Sequence, residues 1–83
     1  MSFFVYVLGG YKKSKLTTYV GYTNNIKKRI KLHNNNKGAK FTRGNFWKLL
    51  YKEKCSTRSE ALSREYNIKR DKKLRNVIKK TFV

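Results

Sequence analysis

Arg29 and His33 are the two residues whose chemistry and spacing first suggest a functional site. They lie four positions apart in a segment that we predict to be helical, so their side chains share one helix face. A guanidinium and an imidazole can then point at one ligand, and the rigid fork of guanidinium donors suits a phosphate. The simpler interpretation is that Arg29 is one of 22 basic residues and His33 a solvated histidine at a helix end.

Only four carboxylate side chains occur in the sequence, and this scarcity limits the metal sites that the chain can form. A two-metal site generally needs several clustered carboxylates. We expect Glu53 near the end of a strand, Glu60 in a helix capping box and Asp71 at another helix cap. Glu65 remains, on a helix face that also carries apolar residues. Its alternative use is an ion pair with Lys69, four residues later.

The formal net charge of the chain is +18, from 22 Lys and Arg against 4 Asp and Glu. Self-repulsion of this size opposes compaction, and a domain that carries it usually binds a polyanion. Nucleic acid is therefore the expected partner. An anionic membrane would call for an amphipathic basic helix, whereas the basic residues here alternate with strand and turn residues. Hydrophobic residues, at 39% of the chain, still allow a folded core.

Length and cysteine content exclude several other classes of protein. The 83 residues make one domain at most, which we place at 1–83. Cys55 is the only cysteine and His33 the only histidine, so neither an intrachain disulfide nor a Cys/His zinc cluster can form. The apolar run near the N-terminus is too short for a signal peptide or a membrane span. We expect a reducing cytoplasmic setting, near the nucleoid, and no membrane partner.

The first half of the chain predicts a hairpin followed by a helix. Residues 3–8 are a dense apolar and aromatic run that a Gly-Gly pair closes, and residues 17–22 are rich in β-branched and aromatic types. The lysine-rich stretch 11–16 between these strands predicts a long, basic hairpin tip. Thr23, Asn24 and Asn25 are three possible N-cap residues, and they predict a helix from about Asn25 to His33 or a little beyond.

The second half predicts one more strand and two more helices. Residues 46–51 are the strand candidate, with Trp47 as the largest single anchor for the core. The capping box Thr57-Arg58-Ser59-Glu60 predicts a helix from Arg58, and Asp71 is placed to cap a third helix. The expected fold class is α+β, with a three-stranded, largely antiparallel sheet flanked by helices in the order β-β-α-β-α-α.

Two triplets in the predicted strands resemble a known pair of motifs. Val5-Tyr6-Val7 and Tyr19-Val20-Gly21 look like the GIY and YIG motifs of the GIY-YIG nuclease superfamily. Valines replace the glycine and the isoleucine of the first triplet, and both changes preserve strand character while the tyrosine is retained. The resemblance therefore implies the GIY-YIG fold.

This resemblance extends over nearly the whole chain. Arg29 lies eight residues past Gly21 and His33 follows one turn later, while residues 59–65 are similar to the family's second-helix segment. Residues 38–44 resemble a loop of the small stand-alone bacterial branch, which is related to the N-terminal nuclease domain of the repair protein UvrC. Each motif alone is a weak signal, but their order and spacing together are specific.

A metal-dependent endonuclease is the activity that the resemblance implies, with catalytic residues Tyr6, Tyr19, Arg29, His33 and Glu65. The two tyrosine hydroxyls would face the scissile phosphate, where one helps to position or deprotonate the attacking water. Glu65 would hold one Mg²⁺ or Mn²⁺ ion together with phosphate oxygens and waters. From the residues alone, each tyrosine has an alternative role as a core residue with its hydroxyl at the rim.

Five residues are candidates for binding nucleic acid: Lys40, Phe41, Thr42, Arg43 and Lys69. The first four lie in a basic loop that offers phosphate donors, and Phe41 could stack on an unpaired base. The alternative is a solvated loop whose Phe41 packs inward. We expect single-stranded or branched DNA in preference to RNA, and a monomer by default. The alternative function is a nucleic-acid-binding module of the same fold with little or no catalysis.

Overall fold

The computed structural model describes residues 2–35 and 46–81. Their element order confirms the predicted α+β class and the order β-β-α-β-α-α. The elements are β1 (Phe3–Lys12), β2 (Lys15–Thr23), α1 (Ile26–Asn34), β3 (Lys48–Cys55), α2 (Arg58–Arg70) and α3 (Lys72–Lys79).

β1 is the central strand of the described sheet, whose strand order is β2-β1-β3 with both neighbours antiparallel to β1. Four consecutive side chains of β1 are at most 1% exposed, from Val5 to Leu8. A strand that is covered on both faces reads as a continuous apolar run, because neither set of alternating side chains reaches water. This placement explains the unbroken hydrophobic pattern at the start of the sequence.

The hairpin tip between β1 and β2 is short, and the prediction of a long basic tip was wrong. β1 continues through Gly9 and Gly10 and pairs with β2 as far as Lys12. Only Lys13 and Ser14 make the turn, with φ of 53° and 66°. Positive φ at both central residues is the geometry of the two-residue turns whose twist matches a hairpin. The Gly-Gly pair was a misleading signal for the end of the strand, because Gly10 lies inside the strand and makes room for a neighbouring residue.

Trp47 is the residue that packs closely over Gly10. A Cβ added to Gly10 would lie 2.6 Å from the backbone oxygen of Phe46 and 3.0 Å from the Trp47 ring. Glycine within a strand often marks such a close approach. Trp47 is 1% exposed, which agrees with its predicted role as an anchor, but it precedes β3 instead of lying within it. The third strand is therefore shifted toward the C-terminus relative to the prediction.

Alternation along the strands divides the interior into two clusters, one on each face of the sheet. The buried residues beside α2 and α3 are Val5, Val7, Val20, Cys55, Ala61, Ile68 and Ile78. Those beside α1 are Tyr6, Leu8 and Trp47, with Ile26 and Ile30 packed against them. The second cluster contains the aromatic and polar side chains of the candidate site.

All three described helices begin at the predicted caps. Asn25 accepts a hydrogen bond from the Lys28 amide at 3.1 Å, and Thr57 accepts one from the Glu60 amide at 3.1 Å. Asp71 caps α3 in the same way. Such caps satisfy amides that have no partner inside the helix. Within residues 2–35 and 46–81, no helix is long and apolar enough to cross a membrane.

Replacing Trp47 with alanine should lower the free energy of unfolding by about 3–5 kcal/mol, because a cavity replaces a buried aromatic side chain. The matched control is Phe46→Ala, since the Phe46 side chain is 76% exposed. We expect the control to change stability by less than about 0.5 kcal/mol. Urea denaturation followed by circular dichroism measures both. Equal, small losses in the two variants would contradict the buried position of Trp47.

Candidate active site

Tyr6 projects from the central strand across its neighbour β2. Gly21 is its partner in the strand register. A Cβ on Gly21 would lie 2.5 Å from the Tyr6 hydroxyl oxygen, which is closer than atoms can approach. Gly21 therefore leaves the space through which the Tyr6 ring reaches its position. The motif match identified this glycine without its structural role, because that role depends on the strand register.

The Tyr6 hydroxyl is the point at which Arg29 and His33 meet. His33 Nε2 lies 3.0 Å from the hydroxyl oxygen, and Arg29 Nε donates to the same oxygen at 3.4 Å. His33 is fully buried. The predicted sharing of one helix face is confirmed, because both side chains of α1 point toward the same group. The alternative of a solvated His33 at a helix end was wrong.

Burial sets the protonation states of this trio. Burial raises the pKa of Tyr6 above its usual value, although the hydrogen bond from Arg29 opposes that shift. Burial lowers the pKa of His33, and the nearby Arg29 charge lowers it further. Near pH 7 the phenol and the imidazole are therefore both neutral. The Tyr6 hydroxyl accepts from Arg29 and shares one hydrogen bond with His33 Nε2, whose donor is set by the imidazole tautomer.

Tyr19 completes the aromatic side of the cluster. It lies two residues before Gly21 on the same face of β2, and its ring centre is 5.1 Å from that of His33. The rings of Tyr19 and Tyr6 are 6.4 Å apart. These tilted and edge-on contacts are favourable for aromatic pairs. Both tyrosines of the two motifs thus lie beside the same histidine.

Glu65 lies on α2, which packs on the face of the sheet opposite to α1 and the trio. Its side chain is 19% exposed, and its Oε1 lies 3.7 Å from Lys69 Nζ. The pKa of Tyr6 is raised mainly by burial and also, to a smaller extent, by the negative charge of Glu65. The predicted pairing with Lys69 is therefore present, but its length and exposure make it weak. A weak pair leaves Glu65 available for another cation.

Two of the other carboxylates have structural partners. Glu53 receives two hydrogen bonds from Arg64, at 2.5 and 3.0 Å, and they hold the pKa of Glu53 below its usual value. Asp71 caps a helix, whereas Glu60 is exposed in the first turn of α2. Among the described residues, no group of three or more His, Cys, Asp or Glu side chains could hold a metal. Glu65 is thus the partly buried carboxylate with only a weak partner.

A single half-buried carboxylate suits one type of cation. Mg²⁺ prefers oxygen ligands, keeps several waters and is commonly bound through one or two carboxylates plus phosphate oxygens. Glu65 offers such an oxygen, and its charge is a minor cause of the raised pKa of Tyr6. A zinc-type set of nitrogen and sulfur ligands would not fit, since His33 already binds Tyr6.

Asn34 is a site residue that the sequence interpretation missed. Its side-chain amide receives a hydrogen bond from the Trp47 amide at 2.6 Å and donates one to the Trp47 carbonyl at 3.0 Å. This double contact holds the end of α1, directly after His33, against the start of β3. The only signal in the sequence was an asparagine at a helix end, which equally predicts a helix stop.

The predicted nucleic-acid-binding residues fall in two places. Lys40, Phe41, Thr42 and Arg43 lie outside the described residues, so their roles stay predictions. Lys69 lies on α2 with its side chain 53% exposed, beside Glu65. An exposed lysine at that position can reach a ligand that approaches the cluster from β2.

Comparison with known proteins gives one consistent result. Residues 2–79 match the family model described as the GIY-YIG catalytic domain. A UPF0213 protein of Clostridium perfringens is 50% identical over 68 residues, covering 81% of this chain and 70% of that protein. One of Bacillus licheniformis is 55% identical over 53 residues, covering 63% of this chain and little more than half, 55%, of that protein.

A solved structure agrees with these sequence matches. The solution NMR structure of a UPF0213 protein from Bacillus halodurans is 37% identical, covers 93% of this chain and 83% of its own, and superposes with a TM-score of 0.50. The matched family segment includes every described candidate residue from Tyr6 to Lys69.

Lowering the pH from about 7 to 5 should reduce the free energy of unfolding, and His33 should be the cause. Its pKa is near 6.5 in the unfolded chain and lower in the folded protein. Between the two pKa values the unfolded chain binds more protons, so stability rises with pH through that window. Urea denaturation at several pH values measures the slope.

The matched variant for this prediction is His33→Gln, whose amide can accept the Tyr6 hydrogen bond but does not titrate. We expect a flatter stability profile between pH 5 and 7, because the ordinary carboxylates titrate at lower pH. A profile as steep as that of the wild type would show that another group controls the pH dependence.

Proposed function

Because the chain belongs to the GIY-YIG family, we propose that it is a divalent-metal-dependent endonuclease, which hydrolyses phosphodiester bonds in nucleic acid. The observation that carries the proposal is the Tyr6 hydroxyl, held at the same time by His33 and Arg29 in the interior of the domain. The proposed substrate is DNA in single-stranded or branched form, in preference to RNA.

Burying the polar groups of Tyr6 and His33 is costly for a small domain, and this cost supports a functional role. Burying a hydroxyl or an imidazole loses its hydration, and hydrogen bonds inside the protein only compensate for that loss. Apolar side chains of the same shape would fill this space without polar partners. Polar groups with shifted pKa values that are held together inside a domain are typical of functional sites. Tyr6 and His33 both show such shifts.

The proposed chemistry is in-line attack of water on a phosphorus atom. Arg29 has donors to neutralise charge that develops on the phosphoryl oxygens. Tyr6 and Tyr19 orient the water or a phosphate oxygen through their hydroxyls, and His33 holds the Tyr6 hydroxyl in place through their hydrogen bond. Because the Tyr6 pKa is raised, the hydroxyl acts as a hydrogen-bonding group unless more positive charge lies beside it.

Glu65 is the proposed ligand for one Mg²⁺ or Mn²⁺ ion. When bound, such an ion supplies positive charge that stabilises the leaving oxygen and the transition state. The charge of the carboxylate is also a minor cause of the raised pKa of Tyr6. Loss of this carboxylate would leave the aromatic cluster and the strand packing unchanged.

Charge supports the choice of a polyanionic substrate. Every described strand and helix carries at least one Lys or Arg, within a chain of net charge +18. Phosphate contacts of this kind position a strand without reading its sequence. Lys69 and the loop residues Lys40 and Arg43 are the proposed backbone contacts. The buried free thiol of Cys55 is in keeping with the proposed reducing, cytoplasmic setting.

Glu65→Gln should reduce the cleavage rate by at least about 100-fold, because loss of the ion removes several kcal/mol of transition-state stabilisation. The matched control is Glu60→Gln, the same substitution on the same helix at an exposed position in its first turn. Cleavage of labelled DNA in Mg²⁺ measures both rates. DNA affinity without metal should stay equal or rise slightly in both variants, because one anion has left a basic surface.

Two outcomes would count against the proposal. Wild-type cleavage by Glu65→Gln, in a preparation free of contaminating nuclease, would show that Glu65 is only the surface partner of Lys69. Binding without scission in the wild type as well as in both variants would favour a binding module with the same fold.

A further inference from the structure

A second feature lies beside the candidate active site, on the outer side of β2. It is a pocket of about 290 Å³, near the lower limit of volumes common for ligand sites. The pocket is lined by Thr18, Tyr19, Val20, Lys69 and Arg75. β2 is at the edge of the described sheet, so its outer backbone groups face this space and not another strand.

Arg75 carries the argument that something binds here. Its Nε atom is buried, and it has no hydrogen-bond partner among residues 2–35 and 46–81. Buried donors in folded proteins are nearly always paired, because an unpaired one loses its hydration without compensation. The neighbouring Ile78 is 5% exposed and fixes α3 against the sheet. Arg75 is therefore held in place by α3, and its Nε–H group is a donor without an acceptor among the described residues.

Charge identifies the class of ligand. Two of the five lining residues are cations, and none is a carboxylate. Lys69 pairs with Glu65 at 3.7 Å, and the Lys69 side chain is 53% exposed. A guanidinium and an ammonium group that share one concave surface suit a phosphate. An anion with two or more oxygens could accept from both side chains.

Tyr19 connects the pocket to the candidate active site. Tyr19 is one of the residues that line the pocket, and its ring centre lies 5.1 Å from that of His33. A strand whose scissile phosphate lies between Arg29 and Tyr19 would continue directly into the pocket. Tyr19 and Val20 would then face a sugar, while the next phosphates approach the two cations.

We propose that Lys69 and Arg75 form a second phosphate-binding site, which holds a non-scissile phosphate of the bound nucleic-acid strand. The strand runs along the outer edge of β2, from the candidate active site toward α3. This inference rests on the proposed function for the direction of the strand, but the binding that it describes needs neither the metal nor cleavage.

The arginine Nε–H resonances of the full chain provide a direct test. Isotopically labelled protein without metal is titrated with a 12-nucleotide oligothymidylate and, separately, with inorganic phosphate. The Arg75 Nε–H signal should shift with the oligonucleotide, while that of Arg70, which lies over the Tyr66 ring, should stay in place. An Arg75 signal that does not move would overturn the proposal. An equal response to inorganic phosphate at the same phosphate concentration would also overturn it, because the pocket would then be a simple anion site.

A salt series with variants provides the quantitative test. On single strands each phosphate contact contributes about 0.7 to the slope of log affinity against log salt. Arg75→Gln should lower the magnitude of that slope by about 0.7. The control Arg70→Gln removes the same charge outside the pocket and should leave the slope unchanged. Equal slopes for the wild type and Arg75→Gln would contradict the site.

The two proposals can fail separately. If the protein does not cleave DNA but shows the Arg75 shift and the change in slope, the phosphate site is supported and the proposed nuclease function is contradicted. If the protein cleaves DNA but its Arg75 signal does not move, the nuclease function is supported and the second phosphate site is contradicted. If Arg75→Gln does not fold, the resonance titration of the wild type still decides the question.

Discussion

The hydroxyl of Tyr6 is the constraint on which the arrangement of this domain depends. A buried hydroxyl needs partners for both its proton and its lone pairs. His33 and Arg29 meet that need only if α1 packs on this face of the sheet with both side chains turned inward. Gly21 must also lack a side chain for the ring to cross β2. The hairpin, the helix and the motif glycine are therefore consequences of placing one phenol.

The small number of acidic residues limits which side chain can bind a metal at the site. Glu53 stabilises the contact between β3 and α2 through Arg64, and Asp71 begins α3, so each has a fixed structural task. Glu65, whose charge also contributes to the raised pKa of Tyr6, is weakly paired with Lys69. A strongly cationic chain gains electrostatically from every carboxylate that it keeps. A carboxylate with only a weak partner is therefore the natural candidate for a metal ligand.

Sequence reasoning was most successful where the signal was local. Helix starts at Asn25, Thr57 and Asp71 follow from side-chain chemistry within one turn, and the structure confirms them. It was least successful where strand register or tertiary packing decides. The close approach of Trp47 explains why Gly10 lies inside a strand, and no local pattern indicates that approach. The Arg75 pocket likewise needs β2 and two helices to be placed together. Arg29 and His33 were found because helix periodicity alone puts them on one face.

Cleavage by the Tyr6→Phe variant tests the central claim most directly, since this change removes the hydroxyl and little else. Labelled single-stranded, duplex and branched DNA would be incubated with the wild type and the variant, in Mg²⁺ or Mn²⁺ and in a chelator. We predict ion-dependent scission of at least one substrate by the wild type, and a loss of about 100-fold or more in a variant that still melts cooperatively. Equal rates for the two proteins, or no scission of any substrate with either ion, would contradict it.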